Sequence, residues 1–261
     1  MPDLLSERTG NVLVLTLNRP DKRNALSFDM FSLLEQELEK AETDDRVAAI
    51  VVTGAGQKAF CSGIDVGLLF EHLSSNPKGD KIRKVQRELQ SLFNRLEEIE
   101  KPTIAAVEGH CAGGGFELAL ACDLRVASTE AKFSFPEVKI GMLPDLGGTT
   151  RIARLVGPAL AKEWVMTGRQ YPAVRALELG LINELVVPGD ALLRAKHLAE
   201  EIAANGPTAV AWSKRVIDRG LTMSMKDALE LEQDAMTEIL PGPELKEGVL
   251  AFLEKRPAKF R

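Results

Sequence analysis

The chain has 261 residues, of which 45% are apolar and 27% charged, with a formal net charge of −5. That is enough apolar material for one sizeable core, and the acidic balance argues against nucleic acid or an anionic membrane as the main partner. The longest unbroken apolar run in "DDRVAAIVVTG" covers only residues 47–52, too short to cross a bilayer, and "MPDLLSERTG" has no apolar signal core, which points to a cytoplasmic protein.

Residues 11–20, "NVLVLTLNRP", alternate Val12, Val14 and Thr16 against Leu13, Leu15 and Leu17 and predict a strand stopped by Pro20. Residues 27–44 place Phe31, Leu34, Leu38 and Ala41 at helical spacing, with Ser27 as the N-cap. "AAIVVTG" (48–54) predicts a buried strand, so the three elements read as a right-handed βαβ crossover in an α/β domain. Residues 55–67, "AGQKAFCSGIDVG", read as a glycine-punctuated loop, 76–80 as a polar break and 80–99 as a charged helix. "PTIAAVEG" (102–109) predicts a strand that runs into "GHCAGGGFELALACDL" (109–124), where the glycines open a helix. Residues 124–128 return as a strand, and 132–148 as a strand and loop. From about residue 149 the pattern is mainly helical, with one last strand at 181–187 and three or four amphipathic helices after Pro188. A boundary is expected near residue 190, between an α/β core (1–190) and a helical region (191–261).

Gly113, Gly114 and Gly115 at a helix start let a ligand, or an oxygen that gains charge during reaction, approach unpaired backbone amides. Glu117 lies about one turn into that helix, and the strand entering the turn aims the site at the carboxyl end of its sheet. Tight helix–sheet packing, with Glu117 favoured by the helix dipole, accounts for the same residues. Glu137 in "FSFPEVKIG" and Asp145 in "MLPDLGGTT" add two carboxylates in apolar, proline- and glycine-bounded surroundings. Carboxylates sharing a low-dielectric pocket hold protons with different affinities, as an acid and a base acting together require. Asp145 reads equally as a loop cap beside Pro144, and Asp65 as the cap of a following helix. Three cysteines without a CxxC pair and three scattered histidines suggest neither a disulfide framework nor a metal site. Cys61 and Cys111 lack an evident base partner for nucleophilic chemistry; His110 reads as a packed or hydrogen-bonded residue, and Trp164 and Trp212 as core or interface.

Six segments, in order, resemble the enoyl-CoA hydratase/isomerase (crotonase) superfamily over nearly the whole chain, closest to its enoyl-CoA hydratases. They are "LNRPDKRNAL" (17–26), "AIVVTGAGQKAFCSGIDV" (49–66), "KPTIAAVEGHCAGGGFELALACDLRVAS" (101–128), "FSFPEVKIGMLPDLGGTTRIARLVG" (133–157), "ALELGLINELV" (176–186) and "FLEKRPAKF" (252–260). The resemblance implies a crotonase-like spiral of ββα units with a C-terminal helical trimerisation region, assembled as a homotrimer or as a hexamer of paired trimers. It implies an acyl-CoA thioester substrate, no cofactor beyond the coenzyme A that the substrate carries, no metal, and neither a nucleic-acid nor a membrane partner. An oxyanion hole is implied at the backbone amides of Ile64 and Gly114. Addition of water across the 2-trans double bond is implied, with Glu117 acting on water and Glu137 on C2; the pattern leaves open an exchange of those roles. CoA and substrate contacts are implied for Lys22, Arg23, Ala25, Ser62, Gly63, Ile64, Asp65, Val66 and Gly114, with Lys255, Arg256, Lys259 and Arg261 reaching CoA phosphates. Plain surface charge accounts equally for each basic group. Ile64 stands where hydratases often carry alanine, which narrows the pocket, and residues 67–82 are expected to form a variable pocket wall. Asp145 matches an acid of the superfamily's dienoyl-CoA isomerases, which "SGID" also resembles. Isomerisation through Glu117, Glu137 and Asp145 therefore stands beside hydration, and a non-catalytic RNA-binding member is the remaining alternative.

Overall fold

The computed structural model describes residues 2–74 and 78–261, so the polar break expected at 76–80 falls partly outside the described residues. Strands β1 (Leu4–Thr9) and β2 (Val12–Leu17) form an antiparallel hairpin, and helix α1 (Phe28–Thr43) carries the chain to β3 (Ala49–Gly54), parallel to β2. This is the expected crossover. Helix α1 starts where predicted: Ser27 Oγ accepts from the Met30 amide at 3.2 Å, a cap of about 1 kcal/mol. Its Met30, Phe31, Leu34, Leu38 and Ala41 are buried. Strand β1 was not anticipated. "LLSERT" buries only Leu4 and lies at the sheet edge, so it lacks the alternation that marks a half-buried strand.

From β3 onward the chain repeats one unit: a strand for a six-stranded sheet, a three-residue strand for a second sheet, then a helix. Strand β4 (Ala59–Cys61) follows β3 and leads to α2 (Val66–Ser74) and α3 (Gly79–Glu98). Strands β5 (Thr103–Val107) and β6 (His110–Ala112) lead to α4 (Gly114–Ala121). Strands β7 (Leu124–Ser128) and β8 (Lys132–Ser134) lead through a 3-10 turn, Pro136–Ile140, to α5 (Gly148–Val156) and α6 (Pro158–Thr167). Strand β9 (Gln170–Pro172) closes the second sheet, and α7 (Ala173–Glu178) precedes β10 (Glu184–Val186) at the far edge of the first. The sheet orders are β1-β2-β3-β5-β7-β10 and β4-β6-β8-β9. The result is the ββα spiral of the crotonase fold, ending in α8 (Ala191–Ala203), α9 (Pro207–Gly220), α10 (Met225–Ile239) and α11 (Pro243–Glu254).

Three expectations are corrected. A single strand was expected to run through 102–109 into the glycine helix; instead β5 ends at Val107, the chain bends at Glu108 and Gly109, and β6 of the second sheet enters that helix. Strand β4 lies inside the expected loop 55–67, and β9 inside the stretch read as helical. Strands of three residues are too short for a two-residue period to register.

The large sheet is buried on both faces, which explains its continuous apolar runs. Leu13, Leu15, Leu17, Ile50, Val52, Ala105 and Val107 pack with Leu34, Leu38, Phe93, Leu96 and Phe116 of α1, α3 and α4. On the other face Val12, Val14, Ala49, Val51, Ile104, Ala106 and Val126 meet Ala191, Ala195 and Ala199 of α8. Helices α9–α11 leave Ile217, Leu221, Leu240, Phe252 and Leu253 exposed. Among the described residues, no helix is long and apolar enough to cross a membrane.

Candidate active site

Strands β4, β6 and β8 lie side by side and parallel. Just past their carboxyl ends come Ile64, Gly114 and Glu137 respectively. The second sheet therefore delivers three of the candidate residues to one edge, the edge at which parallel sheets present their loops. A cavity of about 360 Å³ opens there, lined by Ile64, Gly114, Glu117, Glu137 and Asp145. Its remaining walls are mostly apolar, with Phe28 and Phe31 from α1, Leu68 and Leu69 from α2, and Val85 and Leu89 from α3.

The two amide arms are set by different means. Leu26 donates to the Gly63 carbonyl at 2.8 Å and accepts from the Asp65 amide at 3.0 Å. In such a parallel bridge the Ile64 N–H turns away from Leu26. Gly114 opens α4, so its N–H is one of the first-turn donors that a helix leaves unpaired. A Cβ placed on Gly114 would stand 3.6 Å from the Ile64 nitrogen, so the two amides are neighbours. The turn before them needs glycine: Gly113 has φ +54°, and a Cβ there would sit 2.9 Å from Glu137 Oε1.

Glu117 is 1% exposed. Its Oε1 accepts from the Leu146 amide at 2.8 Å and the Gly148 amide at 2.7 Å. Phe116, beside it in the chain, stacks on Phe135 at 4.7 Å and meets Phe133 and Trp164. Burial pushes the Glu117 carboxyl up to about 8; the two amides oppose this, while Glu137 and Asp145 add to it. Burial likewise pushes Glu137 up to about 7, with Asp145 adding to the effect. Glu137 Oε2 is buried and has no hydrogen-bond partner among the described residues. An orphaned carboxylate oxygen is costly unless something else fills the place.

Asp145 lines the cavity but is not a simple loop cap. Its Oδ2 accepts from Gln86 Nε2 at 3.0 Å, and its carbonyl accepts from Gln90, both on α3. Ser62, Gly63, Val66 and Gly114 also line the cavity, whereas Lys22, Arg23, Ala25 and Asp65 do not. Asp65 Oδ2 binds Arg19 at 2.8 Å and Lys22 at 3.2 Å, and the Arg19 guanidinium holds its carboxyl below the usual range. Its Oδ1 accepts from the Gly67 amide at 3.1 Å at the start of α2, close to the expected capping role. The Ala25 carbonyl accepts from Arg19 at 2.7 Å. Lys255, Arg256, Lys259 and Arg261 lie in the helical region and do not line the cavity; Arg256 pairs with Glu247 and Glu254.

His110 contacts Gln170 at 3.0 Å through Nδ1, and Trp164 is in the core. The three cysteines are unpaired and buried, and burial pushes Cys61 up to about 12, away from nucleophilic use. The described residues contain no cluster able to hold a metal ion. Sequence reasoning missed Asn24, which is buried with φ +56°. It accepts from the Arg19 amide at 3.1 Å and donates to the Ala55 and Ala59 carbonyls at 3.1 and 2.8 Å, fastening the 19–26 segment to β4. The only local signal was an asparagine at a turn in "KRNAL", a residue type that tolerates left-handed backbone. Gln86, Gln90 and Arg151 were missed as well.

A spiral of ββα units with Ile64, Gly114, a buried Glu117 and a half-buried Glu137 around one cavity is the architecture of a crotonase-type protein. The sequence pattern of the family described as Enoyl-CoA hydratase/isomerase matches residues 7–261. The chain is 39% identical to a short-chain-enoyl-CoA hydratase of Clostridium acetobutylicum, over 97% of this chain and 95% of the relative. It is 36% identical to a crotonyl-CoA hydratase of Syntrophomonas wolfei, over 99% of this chain and 97% of the relative. A crystal structure titled putative enoyl-CoA hydratase from Streptomyces coelicolor superposes with a TM-score of 0.94 at 33% identity, covering 100% of this chain and 94% of that one. The protein therefore belongs to the enoyl-CoA hydratase/isomerase family.

Proposed function

We propose that the protein is an enoyl-CoA hydratase that adds water across the 2-trans double bond of an enoyl-CoA thioester. One observation carries the reading: Ile64, Gly114, Glu117 and Glu137 line a single cavity. The thioester oxygen accepts hydrogen bonds from the Ile64 and Gly114 amides. As water attacks C3, negative charge moves onto that oxygen, and losing one such donor costs about 3–4 kcal/mol of transition-state stabilisation. Glu117, ionised, takes the proton of the attacking water, and Glu137, protonated, gives its proton to C2. The pair starts and ends a turnover holding one proton, which then passes from Glu117 back to Glu137. Burial raises both carboxyls to near neutral pH, Glu117 to about 8 and Glu137 to about 7, so the reactive form, ionised Glu117 beside protonated Glu137, is the minor of the two one-proton arrangements of a pair that shares its proton.

The apolar lining supports an aliphatic acyl group, and the names of the relatives support a short one. The exposed apolar side chains of α9–α11 support a trimer or a dimer of trimers, with the C-terminal basic residues meeting CoA across an interface. Light scattering on the purified protein checks the assembly.

Asp145 in the same cavity favours a second reading, isomerisation of a dienoyl-CoA with three carboxylates moving protons. Short 2-trans-enoyl-CoA and 3,5-dienoyl-CoA, offered side by side and compared by kcat/KM, separate the two. Loss of conjugated-enone absorbance with the first substrate is expected. Turnover of the diene alone overturns the hydratase reading, and salt-sensitive RNA binding without turnover of either overturns both.

A further inference from the structure

The catalytic reading of Glu117 leaves open what holds its carboxylate in place. The Leu146 and Gly148 amides do so directly, but both belong to a loop and the first turn of α5. That segment is gripped from behind. Arg151, 7% exposed, donates to the Leu146 carbonyl at 3.0 Å through Nη1. Its other nitrogens reach α3, at Asn94 Oδ1 (2.9 Å) and Glu97 Oε2 (2.6 and 3.0 Å). One turn back along α3, Gln90 donates to the Asp145 carbonyl, and one turn further Gln86 donates to the Asp145 carboxylate. Residues 86, 90, 94 and 97 are spaced by one helical turn and form a single polar ridge. The loop is thin enough to be held from both sides only because it carries two glycines. A Cβ on Gly147 would stand 2.0 Å from Arg151 Nη1, and one on Gly148 would stand 2.8 Å from Glu117 Oε1.

We infer that Asn94 and Glu97 of α3, acting through Arg151, and Gln86 and Gln90, acting through Asp145, are positioning residues that hold the Leu146 and Gly148 amides against Glu117. This rests on the reading of Glu117 as an acid–base residue. The need for such a brace follows from the charges that face Glu117. Glu137 and Asp145 both oppose its ionisation, and no lysine, arginine or histidine lines the cavity among the described residues. The two amides are therefore what favours the ionised carboxylate, and they do so only while the loop is held at hydrogen-bonding distance.

The test uses hydration of a short 2-trans-enoyl-CoA by full-length Gln90→Met, Arg151→Met and Arg151→Lys variants. Arg95→Met serves as a control from the same helix, since Arg95 pairs with Glu35 and Glu42 on α1 instead of with the loop. Gln90→Met and Arg151→Met are expected to lower kcat roughly 10- to 100-fold with KM unchanged, and Arg151→Lys to recover part of the loss. The rising limb of the rate–pH profile should move to higher pH, because a less supported carboxylate ionises later. In a Glu117→Gln background the same substitutions should cost nothing further. Arg95→Met should lower the melting temperature and leave kcat and the limb in place. If Arg151→Met does not fold, Gln90→Met decides, since it removes one donor from a half-buried position. The inference falls if the folded variants keep the wild-type kcat and limb, or lose the same factor with and without Glu117. A Glu117→Gln enzyme with full activity would instead defeat the catalytic reading, and the brace with it.

Discussion

Glu108 and Glu117 are both buried, and each holds one carboxylate oxygen between two backbone amides. Glu108 Oε1 accepts from Gly189 at 3.0 Å and Ala191 at 3.1 Å, and Glu117 Oε1 accepts from Leu146 and Gly148 at 2.8 and 2.7 Å. What surrounds the two acids differs. Glu108 sits at the start of α8, whose partial positive end favours a fixed negative charge, and it ties the β5–β6 bend to the helix that covers the sheet. Glu117 faces a cavity beside Glu137 and Asp145, with only the two amides to support its charge. The same hydrogen-bonding pattern makes a tether in the first place and, in our reading, a proton-transfer group in the second. The deciding factor is the electrostatic character of the remaining neighbours.

The sharpest way to break this comparison is to neutralise each acid. Glu117→Gln keeps an acceptor for both amides yet is expected to lower kcat by about 10²–10⁴-fold, and Glu137→Gln by a similar factor; steady-state hydration assays check both. Removing a donor should cost somewhat less. Gly114→Pro deletes the N–H at a first helical position that accepts proline, with an expected fall of about 10²–10³ in kcat and a circular dichroism spectrum like the wild type.

The pH dependence of stability sharpens the comparison from the other side. Both Glu117 and Glu137 hold their protons more tightly when folded than the ordinary value of 4.5. Their contribution is therefore complete below about pH 4.5 and is lost as pH rises through about 7 and about 8. Glu117→Gln, neutral at every pH, should be more stable than the wild type at pH 8, on the order of a few kcal/mol, with the gap closing toward pH 5 in denaturant titrations. A gap that widens on acidification would falsify the burial argument. The smallest effect belongs to the tether: Glu108→Ala should cost about 1–3 kcal/mol of stability by leaving the α8 amides without their acceptor, with kcat unchanged.

Much of the frame was legible because it rests on local patterns. The alternation in 11–20, the helical spacing after Ser27 and the apolar run at 48–54 each report a period that a few neighbouring residues contain. The glycine run and the glutamates in apolar settings pointed to the candidate site for a related reason: glycine and a buried acid carry costs that a surface loop has no need to accept. Less was legible where an element was short or its partner distant. The β4, β6 and β8 strands have three residues each and are stable only beside one another. Gln90, Asn24 and Arg151 look like ordinary polar residues until their partners arrive from segments 31 to 57 residues away.

By itself, then, the sequence determined which segments are buried, where helices begin, and that an exposed amide and two acids were available. Tertiary structure alone decided that the ends of three short strands meet, that Asp145 turns to α3, and that one buried glutamate tethers a helix near Lys58 and Lys132 while another lines a cavity among acids. The physical reason is range. Burial and helix starts follow from interactions within a few residues, whereas a carboxylate's hold on its proton depends on charges, amides and apolar walls that only the folded chain brings within a few ångströms.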